Sequence, residues 1–112
     1  MKIQVKLKLL DTSQGGRTGP IHSGNTYDFS LRPGSDEIWS AKVVIYGSEF
    51  CYPGQECQVE LSPIRPEEWQ KRASGNFIEM REGKRAVAHG KAQAPPLTTQ
   101  QSERAKKHVQ AG

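Results

Sequence analysis

Short runs in which apolar and polar residues alternate one for one, each closed by glycine or proline, recur from residue 3 to residue 90. Ile3, Val5, Leu7 and Leu9 alternate with Lys2, Gln4, Lys6 and Lys8. A side-chain period of two sends successive residues to opposite faces of a strand, so this run predicts a strand with one buried face. The lysines fall on the other face. A solvated surface that discourages edge-to-edge aggregation is the plainer reading of them, and a nucleic-acid stripe the sharper one. Tyr27, Phe29 and Leu31 alternate with Asp28, Ser30 and Arg32 and stop at the turn Pro33-Gly34-Ser35-Asp36. A third strand is predicted from Ile38 to Tyr46, with Ala41, Val43 and Ile45 on one face and Trp39 as an anchor near its start. Cys57, Val59 and Leu61 alternate with Glu56, Gln58 and Glu60 as a fourth. Phe77 to Arg81 and Arg85 to His89 meet at Glu82-Gly83-Lys84, a hairpin signal because glycine takes φ > 0 without steric cost.

The intervening segments carry turn chemistry. Asp11 to Gly24 is a loop by composition, and its paired Gly15-Gly16 allows a sharp bend or a close approach to a ligand. It is not a nucleotide-binding P-loop, since no Gly-Lys-Ser/Thr follows at the needed spacing, and no bound nucleotide is expected. Gly47 to Gln55 reads as a connection in which Pro53-Gly54 marks a type II turn. Pro66 followed by Glu67 and Glu68 suits the first turn of a short helix, with Trp69 pinning it to the core and Gly75 ending it.

Six short strands and one helical turn in about ninety residues predict an all-β barrel or sandwich. Alternation does not choose between them. Only 34% of the 112 residues are hydrophobic, and the mean hydropathy is −0.73. That pairs a small core with an unstructured segment, here residues 92–112, proline-bearing and then basic at Arg104, Lys106 and Lys107. The expected organisation is therefore a folded unit over 1–91 and a disordered basic tail over 92–112. A net charge of +4 is compatible with an acidic partner such as RNA without demanding one. No apolar run reaches the length of a membrane span, and Lys2 to Leu10 is too charged for a secretory h-region, so the expected compartment is the cytoplasm. Cys51 and Cys57, with five residues between them, do not match a zinc-knuckle spacing and are expected to be reduced residues at strand ends. His22, His89 and His108 have no nearby Cys or acid at ligand spacing, and no nucleophile motif is present. Neither catalysis nor a metal or cofactor is expected.

Several motifs fall in a familiar order. Gly15-Gly16-Arg17-Thr18-Gly19-Pro20-Ile21, Ser23-Gly24, Phe29, Pro53-Gly54, Val59-Glu60-Leu61, Arg81-Glu82-Gly83-Lys84-Arg85 and a closing Gly90 match that order and spacing. Together they resemble the C-terminal domain of translation elongation factor Tu, over about residues 3 to 91. The resemblance implies a six-stranded antiparallel closed β-barrel. It also implies a surface that contacts the backbone of aminoacyl-tRNA and surfaces that meet protein partners.

Carried over by position, Arg17 and Thr18 match a loop approaching the tRNA backbone, and Glu82 and Gly83 match a turn touching the T stem. Arg65 is the nearest counterpart of a family lysine. With Arg81, Lys84 and Arg85 these residues form the expected RNA-contacting set. The chain departs from the family pattern at Asp28 (usually Gln), Thr18 (commonly His) and Lys84 (a second Gly in the turn). It opens directly on the first strand, so a domain working without the factor's GTPase domain and middle barrel is expected. Two functions follow: a non-catalytic module contacting RNA, with tRNA as a candidate, or a protein-interaction module. A contiguous basic face would favour RNA; an exposed apolar patch near Trp39, Tyr46 or Trp69 would favour protein.

Overall fold

The computed structural model describes residues 1–94. The tail expected from residue 92 lies outside them beyond Ala94. Eight strands and one helix follow in chain order: β1 (Ile3–Leu9), β2 (Ile21–His22), β3 (Thr26–Ser30), β4 (Trp39–Ile45), β5 (Phe50–Cys51), β6 (Glu56–Pro63), α1 (Pro66–Arg72), β7 (Phe77–Glu82) and β8 (Arg85–Ala94). Six of them close into an antiparallel barrel in the order β1-β6-β4-β3-β7-β8, with β8 returning to β1. Of the two architectures that alternation leaves open, the chain adopts the barrel.

The alternating residues form its interior. Ile3, Val5 and Leu7 of β1, Ala41 and Val43 of β4, Val59 and Leu61 of β6, and Ile78 and Met80 of β7 are fully buried. Trp69 from α1 is fully buried as well and packs edge-on to Phe29, their ring centroids 5.8 Å apart. Pro66 begins α1, Glu67 and Glu68 occupy its first turn, and Lys71 and Arg72 its last, so the charges complement the helix dipole. The helix thus plugs one end of the barrel with its single apolar side chain.

Three local expectations are corrected. The segments read as plain loop and connection each contain a two-residue strand, and β2 pairs with β5 through Ile21↔Cys51 and His22↔Phe50. In β3 the alternation fails at Ser30, which is buried. Its hydroxyl donates towards the Arg32 and Ser35 carbonyls, 3.0 and 3.3 Å away, and so holds the turn that follows. Strand β8 continues to Ala94, past the expected boundary, and Ala92 is buried where it pairs with Val5.

Candidate nucleic-acid interface

Because all neighbouring strands run antiparallel, the barrel has two chemically distinct ends. One carries α1 and the turn after β3. The other carries the loop from Leu10 to Asn25, the β2–β5 ribbon and the β7–β8 hairpin tip. The hairpin turns at Gly83-Lys84, with Gly83 at φ 64°. No residue other than glycine has positive φ among the described residues.

The residues expected to contact RNA divide between these places. Arg17 and the hairpin tip, 65 residues apart in sequence, meet at the loop end, where an Arg17 Nη1 pairs with Glu82. Arg17 also donates to the Gly19 and Pro20 carbonyls, both at 3.2 Å, and its guanidinium lies 5.6 Å from the centre of the Tyr27 ring. Its donors are therefore turned onto its own chain. Arg17 clamps the glycine loop to β3 and the hairpin and does not hold a free cation out to solvent. Arg85 pairs with the other Glu82 oxygen at 3.1 Å, yet its side chain keeps 57% of its surface exposed. Lys84 and Thr18 are exposed, and Lys84 makes no ion pair among the described residues. Two arginines share the Glu82 carboxylate and Lys84 of the turn stays outside it, leaving the tip with a net positive charge.

Arg81 and Arg65 do not join this cluster. Arg81 is buried on the barrel wall, paired with Glu79 and donating to the Ser35 carbonyl at 3.1 Å. Glu79 is also 3.3 Å from His89 Nδ1, so one half-buried carboxylate holds two basic side chains. Burial of an arginine without such partners would be strongly unfavourable, so the role of Arg81 is structural. Arg65 sits at the opposite end, as the residue preceding α1, 3.7 Å from Glu67. Asp28, placed opposite Arg81 in the β3–β7 pairing, accepts a 2.7 Å hydrogen bond from Ser40.

Of the glycine pair, Gly15 makes the expected sharp bend at φ 88°, and Gly16 makes a close approach. A Cβ on Gly16 would lie 2.1 Å from the Leu10 carbonyl oxygen, so the close approach is to the chain itself. Cys51 is buried and Cys57 half-buried, both free. Burial and the adjoining Cys51 thiol push the Cys57 thiol well above its ordinary pKa, so it stays protonated and unreactive at neutral pH. Beside them a depression of 480 Å³ is lined by Tyr46, Phe50, Gln55 and Gln58 among others, and Tyr46, Phe50 and Tyr52 are exposed. Among the described residues no group of three or more His, Cys, Asp or Glu side chains is arranged to hold a metal ion. No helix there is long and apolar enough to cross a membrane.

No protein-family model matches this chain, and no curated protein matches it. Its fold stands on the structure alone.

Sequence reasoning does not identify His89 and Lys91 as neighbours of the β1 lysines. Their outward positions are visible in the alternation of β8, but their adjacency to Lys6 and Lys8 exists only once the first and last strands pair.

Proposed function

We propose that this protein is a non-catalytic β-barrel module that contacts the phosphate backbone of RNA, tRNA included, through the loop end of the barrel. The observation carrying this reading is the convergence of the Arg17 loop with the hairpin tip, where Lys84 and Arg85 project their charge into solvent. The motif resemblance to the elongation factor Tu C-terminal domain supports it from an independent direction, since the same two segments are the ones it assigns to RNA. Arg17 and Glu82 form the scaffold of this contact surface, and Lys84 and Arg85 its contacts. Backbone contacts of this kind give salt-steep, sequence-tolerant binding.

The test is a titration of the full chain against total tRNA at several salt concentrations, with Lys84→Ala/Arg85→Ala as the variant. The variant should bind more weakly, and its salt slope should fall by about one unit for each phosphate no longer neutralised, so about two. An unchanged affinity and slope would remove the hairpin tip from the interface.

A second reading, a protein-interaction module, is favoured by the exposed Tyr46, Phe50 and Tyr52 beside the 480 Å³ depression. Aromatic residues in such patches commonly anchor protein contacts. Failure of the wild-type chain to bind tRNA even at low salt would shift the assignment to this patch.

A further inference from the structure

The barrel wall formed by β1 and β8 carries an arrangement that the fold does not need. On one flank of β1 the cross-strand partners are complementary or neutral: Lys8 faces Glu56, Lys6 faces Gln58 and Gln4 faces Glu60. On the other flank Lys6 faces Lys91, a like-charge pair, and Lys8 faces His89. Like charges directly opposite in an antiparallel pair destabilise a sheet.

Between these side chains runs a depression of 360 Å³ lined by Lys6, Lys8, Glu56, His89, Gly90, Lys91 and Gln93, three lysines to one carboxylate. Gly90 is part of the reason the strands approach closely here. A Cβ on it would fall 2.8 Å from Val5 Cγ1 and 3.0 Å from the Lys6 carbonyl oxygen. The lysines are only lightly engaged. Lys6 is 3.3 Å from Glu56, with both side chains half or more exposed, a pairing that constrains little. Lys8 donates to the Gly54 carbonyl at 2.6 Å and keeps further donors. Lys91 has no ion pair or hydrogen-bonded side-chain partner among the described residues. Lys6 and Lys8 lie about 6.6 Å apart along the strand, close to the repeat of successive phosphates on an extended nucleic-acid strand.

We infer that this groove is a second phosphate-binding surface for RNA, running along β8 from the hairpin tip and using Lys6, Lys8 and Lys91. The inference rests on the RNA reading above and extends it from the tip to the wall. A strand seated at Lys84 and Arg85 reaches Lys91 after about 20 Å of β8, so one single-stranded segment spans both. Bound phosphates would relieve the Lys6–Lys91 repulsion.

The test uses the full chain and a 16-nucleotide oligouridylate, with affinity measured at four salt concentrations. Lys6→Gln/Lys91→Gln should lower the salt slope by about 1.4, from roughly 0.7 per single-strand phosphate contact. Lys42→Gln/Lys71→Gln, which removes the same charge from β4 and α1, should leave the slope unchanged. Lys91→Glu should raise the thermal midpoint by a few degrees, through a new attraction to Lys6, while weakening binding at least tenfold. A wall variant with wild-type slope overturns the inference while leaving the tip reading intact. A reduced slope in the wall variant alone, with Lys84→Ala/Arg85→Ala unaffected, upholds the groove and overturns the tip. An equal reduction in the Lys42/Lys71 control means diffuse attraction and overturns the groove. Tighter binding of a 16-residue polyglutamate than of the oligouridylate overturns it in favour of an acidic protein segment.

Discussion

Gly16 and Arg17 sit side by side and show how much of this surface is structural. A side chain at residue 16 would collide with the backbone at Leu10 and Asp11, whereas at residue 15 it would meet nothing within 4 Å. The two glycines therefore fail in different ways. Gly15 needs its φ of 88°, and Gly16 needs its missing Cβ. Gly16→Ala forces the loop off the Leu10 carbonyl, an overpacking cost of about 2 kcal/mol. The thermal midpoint should then fall by roughly 10 °C for a domain of this size. A thermal melt that superimposes on wild type would mean the loop yields without cost. Arg17 turns its donors inward for the same reason: it holds what Gly16 makes compact. The sequence names both residues as special, but it does not say whether a glycine–arginine pair serves a ligand or its own loop. That distinction depends on Glu82 and Tyr27, which are distant in sequence.

At the scale of elements, the hairpin is the clearest case of local sequence deciding structure. Two alternating runs and a glycine fix a two-residue turn, and Gly83 takes the positive φ that the turn requires. Gly83→Val places a β-branched side chain in that region at a cost of roughly 1–3 kcal/mol. The expected result is a clear fall in the denaturant midpoint, read by circular dichroism, with Lys84→Val close to neutral as the comparison. Equal midpoints for the two variants would show that φ at residue 83 is not limiting. The same local logic finds β1, β4, β6, β7 and α1, because each carries its own period or cap. It misses β2 and β5, since two residues hold no period and each has the other as its only strand partner among the described residues. It misplaces the end of β8 because Lys91-Ala92-Gln93 looks like the start of a polar tail. Only the pairing of Ala92 with Val5 reveals the strand.

At the scale of the molecule, closure is the step that no local signal contains. Alternation says which face of a strand is buried and leaves its neighbours unnamed, so barrel and sandwich read alike. Here the first and last barrel strands pair from Gln4↔Ala94 to Leu9↔Ala88, with a bulge between Gln4 and Val5. Closure removes both open edges of the sheet, and it also creates the Lys6–Lys91 juxtaposition on the wall. Candidate contacts at the hairpin tip and the outward face of Lys6 and Lys8 are thus legible in sequence, and the placing of Lys91 beside them is not. Closure also makes the last strand a condition of the fold. A chain ending at residue 89 keeps β7 paired with Arg85 to His89 but lacks the Leu7↔Gly90, Lys6↔Lys91 and Val5↔Ala92 pairs. It exposes β1 as an edge and opens the core beside Val5. Such a chain should lose its cooperative thermal transition or aggregate, whereas one ending at residue 94 retains every barrel pair and should melt cooperatively. Because β1 and β8 join the two ends of the described chain, their pairing closes a long loop and carries its entropic cost. Restoring residues 90–94 should accordingly recover both the transition and the elution volume of the full chain. If the chain ending at 89 melts as sharply as the longer one, the barrel does not need its seam.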